Sequence, residues 1–305
     1  MKLPPEFIRN IEGVFGEAGS QFLADLPSLI AAASQKWGLT DAQPSPELSY
    51  NFVAFATRGS EQVVLKMSVP NREARSEVAA LRLFHGEGAC RLIDHDEGRC
   101  WMLLERLNPG VMLSTLEDDE EATHIAADVM QRIWRPMESA SLLVQSFIRL
   151  SDWFDGLKKI RPAFQGGVGP FNEKLVERVE HSVKEFFAEN HRPVLMHGDF
   201  HHFNILSSER GWLIIDPKGV IGPACYEVGP LLINPWGDLL SGKNYRQMTK
   251  RRIDILHERL GFERKRIREW GLAHAILSAW WSIEERTGEE YALAFAEMIA
   301  DLDIK

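Results

Sequence analysis

The chain has 305 residues, of which 35 are Lys or Arg and 44 are Asp or Glu, and its formal net charge is −9. This length predicts two domains, or one two-lobed unit, with a core that needs no disulfide. The acidic balance argues against a nucleic-acid-binding protein, because such proteins use excess Lys and Arg to displace counterions.

The cysteines and the apolar runs predict where the protein works. Three cysteines without a C-x-x-C pair argue against a disulfide framework and favour a reducing, cytoplasmic compartment. We find no signal peptide and no apolar run near the ~20 residues of a membrane helix, so no membrane partner is expected.

The first part of the chain predicts a small, strand-rich lobe. Apolar residues at helical spacing, ended by Gly38, indicate a first helix, and alternating runs joined by a turn indicate a hairpin. The predicted elements are a helix over Phe22–Trp37, a turn-rich stretch over Thr40–Pro46, strands over Leu48–Thr57 and Gln62–Ser68, a helix over Asn71–Phe84, and strands over Arg91–Asp94 and Cys100–Leu104.

The chain after the break at Asn108-Pro109-Gly110 is helical in pattern, with one β-like insert over Pro193–Asp216. The predicted helices are Glu121–Ile133, Leu142–Ile160, Asn172–Ala188, Tyr245–Leu260, Ile267–Glu285 and Tyr291–Leu302. This order predicts an α+β fold with lobes over residues 1–107 and 108–305, rather than a βαβ alternation.

The segment from His197 to Asn204 holds the polar residues with the strongest chemical pattern. Asp199 and Asn204 have the D-x₄-N spacing of a kinase catalytic loop, and Asp216 follows at the end of an apolar strand. Phosphoryl transfer from ATP needs one carboxylate beside the attacking hydroxyl, and an amide oxygen with a second carboxylate to hold Mg²⁺. Asp199, Asn204 and Asp216 supply these groups.

Two other interpretations of this segment stay open. It could be a polar loop between buried strands, in which Asp and Asn only form turns. Alternatively, His197, Asp199, His201 and His202 could bind Zn²⁺ through imidazole and carboxylate groups.

Several segments together resemble the aminoglycoside/hydroxyurea antibiotic-resistance kinase family, which includes streptomycin 6-phosphotransferases and has the two-lobed protein-kinase-like fold. The similar segments are Lys36–Thr40, Val64–Lys66, Leu103–Gly110, His197–Leu206, Ile215–Gly219 and Tyr226–Gly229.

The resemblance implies a nucleotide site between the lobes. Lys66 would pair with the ATP phosphates, and Glu77, on the apolar stripe of the second helix, would be its salt-bridge partner, with Glu73 as the rival. The main chain of Glu105 and Leu107 would hold adenine. A phosphate loop is expected around Ser49, Tyr50 and Asn51, since no G-x-G-x-x-G precedes Lys66.

The acceptor is expected to be a small molecule, because the chain lacks the activation loop of protein kinases. A cationic acceptor would need carboxylates and stacking surfaces. The candidates are Asp199, Glu227, Asn234, Trp236, Asp238, Trp281 and Glu284, together with Trp280 and Glu285; the two tryptophans could equally pack in the core.

We therefore predict an ATP- and Mg²⁺-dependent phosphotransferase that acts on a hydroxyl of a small molecule, such as the aminoglycoside streptomycin. Asp199 would orient the acceptor hydroxyl, Asn204 and Asp216 would hold Mg²⁺, and His197 would brace the loop. The alternatives are a kinase of hydroxyurea or another small hydroxylated metabolite, and a catalytically silent nucleotide-binding protein.

Overall fold

The computed structural model describes residues 3–138, 142–189, 192–235 and 244–304. Within them, an antiparallel sheet with two helices is followed by a mainly helical part, which confirms the α+β prediction. The first part contains α1 (Pro5–Trp37), β1 (Leu39–Pro44), β2 (Phe52–Arg58), β3 (Glu61–Met67), α2 (Arg72–Phe84), β4 (Leu92–Asp96) and β5 (Trp101–Glu105).

The second part begins with β6 and carries short strands among its helices. Its elements are β6 (Pro109–Met112), α3 (Asp119–Ile133), β7 (Arg135–Pro136), β8 (Ile148–Arg149), α4 (Leu150–Phe154), α5 (Ile160–Ala163), α6 (Glu173–Ala188), β9 (Val194–Met196), β10 (Ile205–Ser208), β11 (Gly211–Ile214), β12 (Val220–Gly222), α7 (Val228–Ile233), α8 (Tyr245–Leu260), α9 (Arg264–Glu285) and α10 (Glu290–Ala300).

The first sheet has the strand order β1-β2-β3-β5-β4 and is antiparallel throughout. Val63, Leu65 and Met67 of β3 are fully buried and belong to the same apolar cluster as Leu26 of α1. Because side chains alternate along a strand, Lys66 projects from the opposite face of β3. The sheet thus buries one face under α1 and turns a lysine towards α2.

The N-terminal helix is much longer than predicted, because it begins at Pro5 rather than at Phe22. It consists of two helical stretches joined at Gly16, whose backbone leaves the helical conformation at φ +54°. Phe7 and Ile11 of the first stretch stand at helical spacing, and both are fully buried in the same cluster as Leu26.

The loop region before β2 also departs from the prediction. The stretch Thr40–Pro46 was expected to be a turn, yet Leu39–Pro44 forms β1 and pairs with β2 through an irregular register. The predicted strand over Leu48–Thr57 begins only at Phe52, since residues before it form a loop.

The single helix predicted over Leu142–Ile160 is wrong. The described residues there form a 3₁₀ turn, the strand β8, the short helix α4 and a further 3₁₀ turn over Asp155–Lys159. Ile148 pairs in parallel with Val220 of β12, so a tertiary strand pairing replaces the helical conformation that local periodicity favours.

Two strand pairings position the polar loop of residues 197–204. β9 pairs with β12, with Met196 opposite Val220, so that the start of the loop lies beside Gly219. The hairpin of β10 and β11 places Ile205 opposite Ile214, which brings the end of the loop next to Ile215 and Asp216.

In the described ranges, none of the helices combines the length and apolarity that crossing a bilayer would require. The chain leaves the first sheet at Glu105 and turns before β6 at Pro109. The division into lobes at residues 107 and 108 stays a prediction.

Candidate active site

Lys66, Glu77 and Asp216 form a buried ionic network between the sheet, α2 and the segment after β11. The Lys66 Nζ atom donates to Glu77 Oε1 at 2.7 Å, to Glu77 Oε2 at 2.8 Å and to Asp216 Oδ1 at 2.5 Å. Lys66 and Glu77 are each 4% exposed. The partner of Lys66 on α2 is therefore Glu77 rather than Glu73.

Burial and the neighbouring lysine charges shift the pKa values of the two carboxyl groups in this network in opposite directions. Burial raises the pKa of Glu77 to about 7, and the Lys66 ammonium offsets only part of that rise. Burial also disfavours the charged form of Asp216, but the ammonium groups of Lys218 and Lys66 hold its pKa well below the usual range. Asp216 is thus a carboxylate at neutral pH.

Glu227 holds the main chain of the 197–204 loop through two hydrogen bonds. The His197 amide donates to Glu227 Oε2 at 2.9 Å, and the Gly198 amide donates to Glu227 Oε1 at 2.8 Å. Glu227 is 0% exposed, and burial raises its pKa to about 7. The prediction that Glu227 binds the acceptor is wrong, because both its oxygens accept from main-chain amides of the loop in a fully buried site. Glu227 is therefore a positioning residue.

His197 braces the loop with both ring nitrogens. Its Nδ1 atom accepts from the Asp199 amide at 3.1 Å, so Nε2 carries the proton and donates to the main-chain oxygen of Ile215 at 2.8 Å. Burial lowers the pKa of His197 to about 4, and the ring is neutral at neutral pH. This geometry fits the bracing function expected from the sequence and leaves neither nitrogen for proton transfer.

Asp199 presents its carboxylate to the open side of the loop. Its side chain is 41% exposed, and Oδ2 lies 3.6 Å from His201 Nε2. Burial opposes ionisation, but the interaction with His201 holds the pKa of Asp199 below its usual range. The group is an ionised carboxylate that an incoming hydroxyl could reach.

Asn204 and Asp216 offer oxygen atoms suited to a hard cation. Asn204 Nδ2 donates to the main-chain oxygen of Asp199 at 3.0 Å, which fixes the amide orientation and leaves Oδ1 as an acceptor. The Ile215 amide donates to the Asn204 main-chain oxygen at 2.9 Å and so holds Asp216 close by. Amide and carboxylate oxygens are ligands that Mg²⁺ accepts, so these residues fit that ion.

The alternative zinc site is not supported. His197 uses both its nitrogens inside the loop, and His202 is buried where the charge of Arg252 acts on it. Among the described residues, no group of three or more His, Cys, Asp or Glu side chains could hold a metal ion.

The expected adenine and phosphate segments are tied to their surroundings. The Glu105 amide donates to Arg91 O at 2.9 Å, and the Glu105 carboxylate pairs with Arg210. Leu107 is buried just beyond β5. In the loop before β2, Asn51 Oδ1 accepts from Ser68 Oγ at 2.6 Å, and the Ser49 main-chain oxygen accepts from Asn10 Nδ2 at 3.4 Å. Nucleotide contacts of these residues stay predictions.

An aromatic wall formed by Trp153 and Trp281 lies beside Gly198, the residue that precedes Asp199. A Cβ atom on Gly198 (φ +90°) would meet the Trp153 ring at 3.1 Å, so only glycine lets this indole approach the loop so closely. Trp153 packs edge-on against Trp281 with 5.3 Å between ring centroids. Sequence reasoning missed Trp153, because nothing in the local pattern relates it to Asp199.

Carboxylates follow this wall at the end of α9. Glu284 pairs with Lys159 at 3.0 Å, and Glu285 Oε2 accepts a hydrogen bond of 2.8 Å from the Tyr50 hydroxyl. Burial, together with Glu285, raises the pKa of Tyr50 to about 12. Tyr50 therefore joins the loop before β2 to the second part of the chain.

The remaining acceptor candidates are Asn234, Trp236, Asp238 and Trp280. Asn234 is buried and donates to Pro230 O at 3.0 Å, and its contact with the acceptor stays a prediction. Trp236 and Asp238 lie outside the described residues. Trp280 is buried in the main core.

Known proteins resemble the chain along most of its length. A streptomycin 6-kinase of Streptomyces glaucescens is 30% identical over 290 residues, which cover 93% of this chain and 92% of the relative. A hydroxyurea phosphotransferase of Kitasatospora aureofaciens is 28% identical over 314 residues, which cover 98% of this chain and 86% of the relative.

The fold is that of aminoglycoside phosphotransferases. A thermostable mutant of APH(4)-Ia, crystallised with ADP and hygromycin B, has a TM-score of 0.60 and 14% sequence identity, and the match covers 89% of this chain and 98% of that structure. The two-lobed kinase-like fold predicted from the sequence is confirmed.

The family model for "aminoglycoside/hydroxyurea antibiotic resistance kinase" matches residues 37–286. This range contains the buried ionic network, the loop of residues 197–204 and the aromatic wall. The chain therefore belongs to the aminoglycoside/hydroxyurea antibiotic resistance kinase family, and its reaction class is ATP-dependent phosphotransfer.

Proposed function

We propose that the protein transfers the γ-phosphate of Mg·ATP to a hydroxyl group of an aminoglycoside such as streptomycin. The observation that carries this proposal is the loop geometry: one loop presents an ionised, accessible Asp199 and also Asn204, which is tied to the Ile215-Asp216 segment. Lys66 and Glu77 complete the arrangement on the side of the first sheet.

Each of these residues has one part in the proposed reaction. Lys66, steadied by Glu77, holds the phosphates of ATP, and Asp199 orients the acceptor hydroxyl and takes its proton. Asn204 and Asp216 hold Mg²⁺, which when bound neutralises charge on the phosphates. His197 and Glu227 keep Asp199 in place.

The surface beside Asp199 supports a cationic acceptor. Indoles of Trp153 and Trp281 offer stacking area, and the carboxylates of Glu284 and Glu285 offer charge to ammonium or guanidinium groups. The relative from S. glaucescens carries the name streptomycin 6-kinase, in agreement with such an acceptor.

Hydroxyurea is the second candidate acceptor, because the chain is similar over 98% of its length to a hydroxyurea phosphotransferase. Hydroxyurea is small and uncharged, so it would use Asp199 without needing the indoles or Glu285. A third possibility, a catalytically silent nucleotide-binding protein, is disfavoured by the accessible Asp199 carboxylate.

An ATP-consumption assay over a panel of acceptors tests the proposal. Streptomycin, unrelated aminoglycosides and hydroxyurea are incubated with Mg·ATP, and the product is identified by mass spectrometry. We expect phosphorylated streptomycin and its loss in Asp199→Ala, with nucleotide binding kept. Turnover that survives in Asp199→Ala would contradict the assignment of Asp199, and turnover of hydroxyurea alone would select the second candidate.

The cellular compartment follows from the same proposal. Cys90, Cys100 and Cys225 are buried free thiols, in keeping with the reducing cytoplasm predicted from the sequence. The cytoplasm also supplies the ATP that the proposed reaction consumes.

A further inference from the structure

Two lysines act on Asp216, and they differ in what their ammonium groups already bind. Lys66 uses its three N–H donors on two oxygens of Glu77 and one of Asp216. In the part of the chain that the structure describes, the Lys218 ammonium makes neither a hydrogen bond nor an ion pair at contact distance. The donors of Lys218 are therefore available among the described residues, whereas a phosphate oxygen at Lys66 would replace one of the contacts that Lys66 now makes.

The backbone around Lys218 is held on both sides. Its amide donates to the main-chain oxygen of His197 at 2.8 Å, which ties it to the loop that carries Asp199. Gly219 follows at φ +66°, and its carbonyl accepts from Ser76 Oγ of α2 at 2.7 Å. A Cβ atom at Gly219 would lie 2.6 Å from Ser76 O, so the chain cannot shift there. The loop thus fixes the main chain of Lys218, and α2 fixes that of Gly219.

The Lys218 ammonium lies in the field of several carboxylates. The carboxylates of Asp216, Asp199 and Glu73 raise the pKa of Lys218, with Asp216 the largest cause. Lys218 stands two residues after Asp216, and its amide is bonded to the loop that carries Asp199, so its side chain is within reach of a phosphoryl group between the metal ligand and the acceptor hydroxyl.

We infer that Lys218 is a catalytic residue whose ammonium contacts the oxygens of the γ-phosphoryl group during transfer; this rests on the proposed function. In that step the acceptor oxygen bonds to the γ-phosphorus, and the bond from that phosphorus to the β,γ-bridging oxygen breaks. The electron pair leaves with ADP, and the hydroxyl proton passes to Asp199. Lys218 stays protonated throughout and stabilises the negative charge of the transferred group.

The test compares the affinities of Mg·AMP-PNP and Mg·ADP, because only the first nucleotide has a γ-phosphate. Lys218→Met should weaken Mg·AMP-PNP about tenfold, as loss of one charged hydrogen bond would, and leave Mg·ADP nearly unchanged. Lys66→Met should weaken both nucleotides. The exposed Lys184 on α6 provides the control Lys184→Ala, which should change neither.

Turnover provides the second readout. Lys218→Met should lower kcat by about 10²-fold, the effect of removing one donor to a transition-state anion. Lys218→Arg keeps the charge and should retain more activity than Lys218→Met. Thermal unfolding of each variant shows whether it folds; if Lys218→Met is unfolded, Lys218→Arg and Lys218→Gln take its place in the binding comparison.

Failure of this inference can be told from failure of the proposed function. If no acceptor is phosphorylated but the wild type binds both nucleotides, the ratio of their affinities still decides the assignment of Lys218. Equal weakening of Mg·ADP and Mg·AMP-PNP in Lys218→Met, or an unchanged kcat, would overturn it, since Lys218 would then only balance the charge of Asp216. A wild type that binds neither nucleotide would overturn both proposals.

Discussion

Replacement of Glu227 by Gln tests whether this buried carboxylate positions the loop of residues 197–204. Glu227 accepts from the amides of His197 and Gly198, one on each oxygen, in a fully buried site. Glutamine has almost the same shape but only one oxygen, so one amide would face an NH₂ group and lose its acceptor. A buried donor without a partner costs about 1–3 kcal/mol, which lowers Tm by roughly 2–4 °C per kcal/mol.

Activity should fall further than stability, because Asp199 directly follows Gly198. We expect kcat of Glu227→Gln to drop at least about tenfold, the effect of a small displacement of a reacting group. The KM for ATP should change little, since Lys66, Glu77 and Asp216 keep their contacts. The assay is run above pH 7, where Glu227 is ionised, because burial raises its pKa to about 7.

Glu269→Gln is the matched control for this experiment. Glu269 is also buried and pairs with Arg178 at 2.6 Å and with Arg268 at 2.8 Å, but it lies between α6 and α9, away from the loop. It should lose stability and keep kcat. A folded Glu227→Gln enzyme with wild-type kcat, or an equal loss of kcat in both variants, would refute the positioning of Asp199 by Glu227.

Two further predictions concern the hydrogen bond between Tyr50 and Glu285 and the buried His274. Tyr50→Phe removes the hydrogen bond to Glu285 and should speed hydrogen exchange in the loop before β2, and Glu285→Ala, which removes the acceptor, should do the same. Unchanged exchange in both variants would show that this bond does not hold the loop. His274 has a pKa lowered to about 4 by burial, so the unfolded chain takes up more protons than the folded chain between pH 6.5 and 4. Wild-type stability should therefore fall by about 3 kcal/mol relative to His274→Asn as the pH drops through that window; parallel denaturation curves would contradict this.

The residues of the proposed reaction could be predicted from the sequence where they lie close together along the chain. Asp199 and Asn204 stand at a fixed spacing on one loop, and Asp216 ends the next strand, so a short hairpin must bring them together. Glu77 was predictable as well, since a carboxylate on the apolar stripe of α2 needs a buried partner. In each case the spacing within one or two elements already limits the geometry.

The secondary structure that the sequence failed to predict depends on contacts between distant segments. The strand β8 and the short helix α4 lie where periodicity favours one helix, because pairing with β12 decides the conformation there. The first stretch of α1 was missed although its apolar residues recur at helical spacing, and Phe7 and Ile11 are fully buried in one cluster with the sheet. Local patterns do not record which distant segment will cover them.

By itself, the sequence determined the α+β order of elements, the loop with its Asp199 and Asn204, and the family to which the chain belongs. Only the tertiary structure decided that Glu227 binds the main chain of the loop and that Trp153 lies against Gly198. It also decided that the Lys218 ammonium has no contact partner among the described residues, while Lys66 contacts Glu77 and Asp216. The physical reason is that an ion pair or a close contact depends on distances between elements far apart in the chain. Spacing along the chain constrains such distances only within one loop or hairpin.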